Sequence, residues 1–413
     1  MRIAVIGAGV SGMTIAKLLS KNNEVVVYER ENRPGGLIKC DTINGSLFHR
    51  TGGHVFNSKR EDVLNWFWKQ FDKESEFTKA LRNSTVHLNN ELEIPYPIEN
   101  HAYMLGDELL NKVILDLLNI YKKGESEFTN FEEFLKGRFG ETLYNLYFQP
   151  YNYKVWRRSL AGVPLTWLEG KLPMPSVQEI IYNNINHIEE RAFVHSSFFY
   201  PQKGGSQFVA NRLSQGLDIV YDRDIKSIER KDSVWIINDR TFDKVVYCGN
   251  IKQIPSILKM SVDLHSYIES IEYLEYHGTT AVFCEIDVNK YSWIYLPDKE
   301  YESHRIICTG NFSSSNNAPG KMTASIEFTD FISEEDIKEN LIRMPYSPHY
   351  LSHHYEKYTY PIQNKDTRCM IESLKQKLEE YDFYLLGRFA EWEYYNMDVA
   401  MGAALDLYKR VFR

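Results

Sequence analysis

Three glycines near the start of the chain have the spacing of a phosphate-binding turn. An apolar run, RIAVIG at residues 2–7, predicts a buried strand, and the residues after Gly12 have the apolar spacing of a helix. In the pattern GxGxxG, Gly7 permits the turn, Gly9 lets a phosphate approach the backbone, and Gly12 packs the helix on the strand. Glu29 ends a second apolar strand, EVVVYE, where a carboxylate can accept hydrogen bonds from a ribose. The sequence therefore predicts a Rossmann-type βαβ unit that binds a dinucleotide.

The residues after Glu29 favour FAD over NAD as that dinucleotide. They read RENRPGG at 30–36, and a diglycine here lets the chain pass close to an extended dinucleotide that stays bound. Two loop glycines in an NAD domain are the alternative. We expect the cofactor to contact Arg30, Gly36 and Leu37. The stretch resembles the amino-terminal signature of the glutathione-reductase-type flavoproteins, which here comprises Gly7, Gly9, Gly12, Ala16, Leu19, Val25, Val27, Glu29, Gly35 and Gly36.

Two further segments predict contacts with the flat ring of a flavin. RTGGHVFN at 50–57 places Gly53 where a ring can lie against the backbone, with His54 beside it. A plain turn with a hydrogen-bonded histidine is the alternative. Near the end of the chain, a predicted helix begins with Asn396, Met397 and Asp398, and its first backbone N–H groups can point at the flavin edge.

The middle of the chain has the pattern of a helical insertion. Apolar residues recur at helical spacing over 104–121, and Asn130 marks a helix start, so helices are predicted over roughly 100–190. YFQPYNYKVW at 147–156 surrounds Asn152 with aromatic residues. Such a cluster suits stacking on a base or a sugar ring, but ordinary packing between helices explains it as well.

The segment that follows alternates between apolar and polar residues like the strands of an antiparallel sheet. TTAVFCEID at 279–287 and SHRIICTGN at 303–311 show the pattern most clearly. Arg305 begins one of these strands. It is either a surface charge or, if the sheet faces the cofactor, a ligand for an anion.

Composition and charge exclude several classes of protein. The 413 residues are 43% hydrophobic and 25% charged, which excludes a disordered, collagen-like or coiled-coil chain. The formal net charge of −8 gives no general attraction to nucleic acid or to an anionic membrane. Five scattered cysteines without a CxxC pair argue against a zinc site and a disulfide framework, and no metal is predicted. With neither a signal peptide nor a membrane-spanning apolar run, we expect a cytoplasmic protein without membrane insertion.

Together these patterns predict an α/β fold, with a Rossmann-type FAD-binding domain, an inserted helical domain and an antiparallel sheet domain. The FAD-binding domain is expected to be discontinuous. The predicted boundaries are 1–90, 196–250 and 370–413 for the FAD-binding domain, 98–195 for the helical domain and 251–369 for the sheet domain, which is expected to hold the substrate.

Four motifs make the chain resemble the UDP-galactopyranose mutase family, in particular its eukaryotic-type branch. They are PYPI at 95–98, PYNYKVW at 150–156, FYPQKGG at 199–205 and LGRFAEWEYYNMD at 386–398. The resemblance covers nearly the whole chain and implies an FAD domain, a helical domain and a six-stranded-type antiparallel sheet domain, all interleaved.

The resemblance also implies a reaction. In that family, N5 of reduced FAD attacks the anomeric carbon of a nucleotide sugar, and the covalent flavin–sugar adduct opens and recloses as the other ring form, with no net consumption of electrons. The implied substrate is a UDP-galactose-like nucleotide sugar, and the implied external reductant is NADH or NADPH. A homo-oligomer is compatible with the resemblance.

Particular residues receive roles through the same resemblance. Arg305 matches the family's arginine on the diphosphate, while Tyr360 and Tyr395 match its phosphate-binding tyrosines. Lys171 is the best match to a second diphosphate arginine; it keeps the charge but loses the bidentate geometry. The remaining implied contacts are His54 near the flavin N5, Arg388 on the FAD diphosphate, Trp156 and Asn152 in the substrate site, and Tyr96, Glu99, Tyr147 and Tyr151 around the nucleoside.

Two other classes of protein share the signature or the fold. An FAD-dependent oxidase or desaturase of the amine oxidase and protoporphyrinogen oxidase type would consume oxygen with an amine and would ignore UDP-galactose. A binding protein like the Rab GDP-dissociation inhibitors would use the fold without catalysis and would take up no FAD. The colour of the purified protein separates that last class from the two enzymes.

Overall fold

The computed structural model describes residues 1–89, 91–124, 127–165, 175–188, 197–260 and 264–413. Helices and strands are numbered in chain order. The strands are β1 (Arg2–Ile6), β2 (Glu24–Tyr28), β3 (Cys40–Ile43), β4 (Ser46–His49), β5 (Phe77–Leu81), β6 (Ser84–Leu88), β7 (Leu92–Pro95), β8 (Ser197–Pro201), β9 (Asp218–Val220), β10 (Ile228–Lys231), β11 (Val234–Ile237), β12 (Arg240–Phe242), β13 (Lys244–Tyr247), β14 (Leu258–Lys259), β15 (Tyr276–Glu285), β16 (Trp293–Tyr295), β17 (Arg305–Ile307), β18 (Thr323–Thr329), β19 (His349–Pro361) and β20 (Phe383–Leu385). The helices are α1 (Val10–Leu19), α2 (Glu61–Trp68), α3 (Lys73–Glu76), α4 (Asp107–Lys123), α5 (Phe131–Leu143), α6 (Gln149–Trp156), α7 (Val177–Asn186), α8 (Gly205–Ser214), α9 (Ile254–Ile257), α10 (His265–Glu272), α11 (Glu334–Arg343), α12 (Thr367–Glu379) and α13 (Met397–Leu407).

Five parallel strands form the sheet that carries the glycine turn, in the order β20-β13-β1-β2-β9. The inner strands are short buried runs rich in valine and isoleucine, as expected for a parallel sheet covered on both faces. On one face, α1 and α13 pack together in a single apolar core. The strands β10, β11, β12 and β14 form a small separate sheet that contributes to the core on the other face. This architecture confirms the predicted α/β class with a Rossmann-type domain.

A second sheet has seven strands in the order β19-β15-β18-β17-β16-β6-β7. Its neighbouring strands run antiparallel, except that β6 runs parallel to β16. The sheet therefore differs from the predicted six-stranded type by one strand and one parallel pairing. Residues 84–88, which the sequence assigned to the FAD-binding domain, pair in this sheet. Ser84 lies opposite Trp293, and a pairing so distant in the chain leaves no local pattern to read.

Helices α4 to α7 occupy the chain between β7 and β8, where the helical insertion was predicted. Asn130 caps α5 by accepting from the backbone N–H of Glu133, and Ser176 forms a capping box with Glu179 at the start of α7. The apolar faces of these helices share one core with side chains of the seven-stranded sheet, so the helical segment is packed on that sheet. Among the described helices, none is long and apolar enough to cross a membrane.

Candidate active site

A cleft between the two large sheets brings together most of the residues that were predicted to do chemistry. On one side are the segments that follow β1, β13 and β20, and on the other is the face of the seven-stranded sheet. Ligands of open α/β sheets bind at this carboxyl end of the parallel strands. The predicted site residues that line the cleft are Gly9, Gly12, Gly36, Leu37, Gly53, His54, Arg305, Tyr360, Arg388, Tyr395 and Met397.

The glycine turn has the geometry that a dinucleotide requires. A Cβ atom at Gly12 would lie 1.9 Å from the carbonyl oxygen of Gly7, so only glycine lets α1 pack this close to the turn. A Cβ atom at Gly9 would meet no protein atom within 4 Å, because that side of the turn faces the cleft. Gly7 lies behind the turn with φ at +103°. The predicted roles of the three glycines therefore agree with the packing around them.

Glu29 lies behind the turn, where it fixes the loops on either side. The residue is 6% exposed, and its carboxylate accepts from the N–H of Ala8 at 2.7 Å and from the N–H of Glu31 at 3.1 Å. Remaining lone pairs are left for the ribose hydroxyls that the sequence assigned to it. Neither Glu29 nor Arg30 lines the cleft, and Arg30 is exposed, so their predicted contacts with the cofactor stay predictions.

The turn before His54 is held from two sides. The N–H of Gly52 donates to Glu327 Oε1 at 2.7 Å, and the N–H of His54 donates to His49 Nδ1 at 3.3 Å. Because His49 Nδ1 accepts, its proton is on Nε2, which donates to the hydroxyl of Tyr200 at 2.7 Å. His54 Nε2 is buried and has no hydrogen-bond partner in the described part of the chain.

Both of these histidines are neutral. Burial, with a contribution from the neighbouring His54, lowers the pKa of His49 to about 3. Burial, with a contribution from Arg388, lowers the pKa of His54 to about 4. The cleft therefore presents an uncharged imidazole edge at His54, beside the position predicted for the flavin.

Arg305 is a partly buried cation held by a buried carboxylate. Its Nε pairs with Glu327 Oε2, and its Nη2 donates to the hydroxyl of Tyr360 at 3.1 Å. Burial alone would raise the pKa of Glu327, which is 1% exposed, but Arg305 and His304 offset this and hold the pKa far below its usual range. The alternative of a surface charge for Arg305 is thus wrong, since the guanidinium faces the cleft with a fixed orientation.

Tyr360 has a ring partner that the sequence did not single out. Its ring stacks on that of Tyr394, with centroids 5.4 Å apart and an interplanar angle of 15°. The guanidinium of Arg388 lies 4.0 Å from the centroid of Tyr394, and its Nη2 donates to the carbonyl oxygen of Thr359. Tyr395 also lines the cleft. The tyrosine that stacks on Tyr360, however, is its chain neighbour Tyr394. The sequence YY alone does not show which of the two tyrosines takes that position.

A third arginine, Arg82, also lines the cleft together with Arg305 and Arg388. It donates to the hydroxyl of Tyr295 at 2.5 Å and to Ser84 Oγ at 2.9 Å, and it lies 4.7 Å from the ring of Trp293. Sequence reasoning missed it because a lone arginine beside a strand carries no motif. Lys171, the predicted second cation, lies outside the described residues.

The residues predicted to hold the nucleoside form a group of stacked tyrosines beside the cleft. Tyr147 stacks on Tyr151 at 5.5 Å, and Tyr295 contacts both Tyr151 at 5.4 Å and Tyr96 at 4.9 Å. Glu99 is 2% exposed next to this group. Arg305 favours the ionised form of Tyr151, but burial outweighs it and raises the pKa of Tyr151 well above its usual range.

Asn152 and Trp156 belong to the packing of α6. Asn152 donates from its side-chain amide to the carbonyl oxygen of Phe148 at 2.8 Å, one turn back on the helix. Trp156 is 4% exposed and packs in the core between the helices and the seven-stranded sheet. Neither residue lines the cleft. Their contacts therefore agree with the alternative in which this segment only packs between helices.

Within the described ranges, no group of three or more histidine, cysteine, aspartate and glutamate residues is arranged to hold a metal ion.

Comparison with known proteins connects this site to a class of enzymes. Residues 5–71 match the family model of the NAD(P)-binding Rossmann-like domain. The chain is 22% identical to a UDP-galactopyranose mutase of Mycoplasma genitalium, over 97% of this chain and 92% of the relative. It is 23% identical to a dTDP-fucopyranose mutase of Escherichia coli, over 98% of this chain and 97% of the relative.

Solved structures give the same result for the fold. The crystal structure of a reduced UDP-galactopyranose mutase superposes with a TM-score of 0.89 at 20% identity, covering 99% of this chain and 93% of that chain. A putative protoporphyrinogen oxidase from Exiguobacterium sp. 255-15 superposes with a TM-score of 0.74 at 13% identity, covering 99% and 98%. The resemblance to UDP-galactopyranose mutases predicted from the sequence motifs is confirmed, and the oxidase is the more distant match.

Proposed function

We propose that this chain, a UDP-galactopyranose mutase-like isomerase, interconverts the pyranose and furanose forms of a nucleotide sugar with FAD as its cofactor. The observation that carries the proposal is the arrangement of the cleft. A dinucleotide-binding turn at Gly9, the turn that bears His54 and the anion-binding group of Arg305 and Tyr360 line one continuous cavity. A nucleotide sugar bound through its diphosphate at Arg305 would then have its sugar near a flavin beside His54.

Residues of the cleft fit FAD. The open side of Gly9 leaves room for a pyrophosphate, and the amino terminus of α13 at Asn396 and Met397 lines the same cavity. The first N–H groups of a helix have no partner within the helix and favour a negative or electron-rich neighbour. Gly53 and His54 would lie along the ring. When bound and reduced, FAD supplies a nucleophilic N5 for the anomeric carbon of the sugar.

This chain's own task is to hold the diphosphate and to stabilise the charge that it gains as it leaves the sugar. Arg305 is oriented for this by Glu327, and the hydroxyl of Tyr360 lies 3.1 Å from Nη2 of Arg305, within reach of the same anion. Tyr394 and Arg82 add a further tyrosine and a further arginine to the cavity. Donors fixed before the reaction cost no reorganisation when the charge develops. We propose Lys171 as a further cation from the sequence match alone.

The remaining parts of the proposal concern the electron donor, the substrate and the cellular compartment. We propose NADH or NADPH as the source of electrons that keeps the flavin reduced, and a nucleotide sugar as the physiological partner of the chain. All five cysteines lie within the described residues and none forms a disulfide, which supports a reducing, cytoplasmic compartment.

The test is turnover by the reduced holoenzyme. Dithionite-reduced protein is incubated with a panel of UDP- and dTDP-furanoses, and the products are separated by chromatography; the oxidised protein is the control. We expect conversion of at least one sugar by the reduced form alone, and cyanoborohydride trapping should then leave a sugar attached to the flavin. Equal activity of both forms would contradict the role of reduced FAD. No conversion together with amine-dependent oxygen consumption would instead support the oxidase alternative.

A further inference from the structure

Lys154 is a buried ammonium group whose donors all go to one loop. The residue is 7% exposed, and Nζ donates to the carbonyl oxygens of Leu296 at 2.7 Å, Asp298 at 2.5 Å and Ser303 at 3.0 Å. The ring of Tyr301 lies 4.8 Å from Nζ. An ammonium group has three donors, so each one has an acceptor here. Lys154 does not line the cleft. Its contacts therefore hold the loop in place and do not bind a ligand.

The loop that Lys154 holds joins β16, which ends at Tyr295, to β17, which begins at Arg305. These residues lie opposite each other in the strand register. The base of the loop is closed by the N–H of Leu296, which donates to the carbonyl oxygen of His304 at 2.9 Å. Because Arg305 begins the strand that follows this loop, the position of the loop affects where the guanidinium of Arg305 lies in the cleft.

The helix that carries Lys154 is itself anchored to the seven-stranded sheet. The carbonyl oxygen of Trp156, at the end of α6, accepts from Nε2 of His277 on β15 at 2.9 Å. Tyr151, on the same helix, packs edge-to-face on Tyr295 at 5.4 Å. Lys154 thus connects a helix of fixed position to the hairpin that bears the anion-binding arginine.

Burial makes this charge costly unless its acceptors stay in place. Burial lowers the pKa of Lys154 to about 7, with Asp298 and Glu302 acting in the opposite direction and Arg157 in the same direction. Charged groups are kept inside proteins where hydrogen bonds replace the lost water. Displacement of the loop would leave the N–H donors of Lys154 buried and without acceptors, which is costly whether or not the amine is protonated, so the lysine resists that displacement.

We propose that Lys154 is a positioning residue for diphosphate recognition, which holds the β16–β17 hairpin so that Arg305 faces the bound anion. The inference deepens the proposed function and rests on it. It assigns to the lysine of the PYNYKVW segment a role that acts through Arg305 and needs no contact with the substrate.

The first measurement follows the loop itself in the full chain loaded with FAD. Lys154→Met keeps the aliphatic stem and removes the donors. Arg157→Gln is the matched control, because Arg157 reaches Glu302 on the same loop at 3.2 Å through an exposed ion pair, and such pairs contribute little. We expect faster hydrogen exchange of the backbone amides of 296–305 in Lys154→Met and wild-type exchange in Arg157→Gln. Wild-type exchange in Lys154→Met would overturn the inference.

The second measurement is a double-mutant cycle on the affinity of the oxidised protein for UDP. We expect Lys154→Met to weaken UDP binding by about tenfold or more, with normal FAD content, because a misplaced Arg305 loses charge-assisted hydrogen bonds. In the Arg305→Ala background, Lys154→Met should have no further effect. Additive losses, or unchanged UDP affinity in the single variant, would overturn the inference.

Failure of the proposed function gives a different result. A wild-type protein that binds FAD but neither UDP nor dTDP would contradict the proposed function, while the exchange of 296–305 still decides whether Lys154 fixes the loop. If the wild-type protein binds dTDP and not UDP, dTDP is the probe in the double-mutant cycle. If Lys154→Met does not fold, Lys154→Arg takes its place. The guanidinium keeps the charge, but it cannot direct three donors from one nitrogen at the three carbonyl oxygens, so the same changes are expected at smaller size.

Discussion

The carboxylate of Glu327 connects the two parts of the site that the proposed reaction needs. One of its oxygens accepts from Gly52, next to the turn that bears His54, and the other pairs with Arg305. With its pKa far below the usual range, Glu327 stays ionised at any physiological pH. The guanidinium of Arg305 is therefore oriented, and its charge is compensated, before any anion binds. In the proposed function, the diphosphate meets a hydrogen-bond donor that is already in position.

Substitution of Glu327 by glutamine should impair both parts together. The change keeps the shape but leaves Arg305 as a partly buried cation without its counter-charge, which costs about 2 kcal/mol through the lost charge-assisted hydrogen bond. We expect a lower melting temperature and weaker UDP binding in the holoenzyme, measured by thermal unfolding and calorimetry. Glu285→Gln is the control, since Glu285 lies on β15 of the same sheet and pairs with Lys321, whose side chain is 51% exposed, in an ion pair that contributes little. Equal effects of the two variants would contradict the role given to Glu327.

Sequence patterns predict the site residues that belong to a recognisable motif. They miss the site residues that can be identified only from their contacts in the folded chain. Arg305 and His54 were found because their neighbours form recognisable segments. Glu327 is the lone acid in the buried strand TASIEFT, and that isolation is the one signal that was available for it. Tyr394 was missed because the direction of a side chain in an irregular loop depends on packing partners that the local sequence does not encode.

The element that decides cofactor binding is the turn between β1 and α1. Gly12 is confined by the backbone of Gly7, whereas Gly9 faces open space in the cleft. The two glycines thus serve different purposes, one for the packing of the helix and one for the ligand, although both belong to the same motif.

Alanine substitutions should separate these purposes. Gly9→Ala should fold normally and bind FAD about tenfold or more weakly, because the added methyl group enters the space reserved for the pyrophosphate. Gly12→Ala should lower the melting temperature even of the apoprotein, because its Cβ would lie 1.9 Å from a backbone oxygen. Gly162→Ala, at a position with nothing within 4 Å of the new Cβ, is the control. Flavin absorbance and thermal unfolding give the two readouts; normal FAD content in Gly9→Ala would contradict the assignment.

Over the whole molecule, the sequence predicted the elements better than their partners. The strands β1, β2 and β13 follow from their continuous apolar runs, which are buried on both faces, and the helices α4 and α5 follow from their apolar spacing. The pairing of β6 with β16 joins segments from opposite sides of the helical insertion. No periodicity records such a contact, so the seventh strand and the parallel pairing could not be predicted.

Acid should destabilise the molecule before its carboxylates are protonated. Burial lowers the pKa of His49 to about 3 and the pKa values of His54 and His304 to about 4, from 6.5 in an unfolded chain. Below pH 6.5 the unfolded chain therefore binds protons that the folded chain excludes, and stability falls as the pH drops from 6.5 toward 4. Each histidine contributes up to about 1.4 kcal/mol per pH unit.

The measurement is the melting temperature of the holoenzyme between about pH 7.5 and about pH 5. His304→Gln should reduce the slope of melting temperature against pH, whereas His349→Gln, at an exposed position, should leave it unchanged. Glu327 does not contribute in this window, because its depressed pKa keeps it ionised there. A melting temperature independent of pH over this range would contradict the neutral state of the buried histidines.

The order of the elements along the chain also determines when a newly made chain can bind its cofactor. The sheet is completed at one edge by β20, and α13, which lines the cleft, comes after that strand. Both come from residues 383–407, so a chain synthesised only as far as residue 382 lacks one wall of the binding pocket. Flavin loading must therefore follow the synthesis of these residues, and products that end before residue 383 should remain colourless.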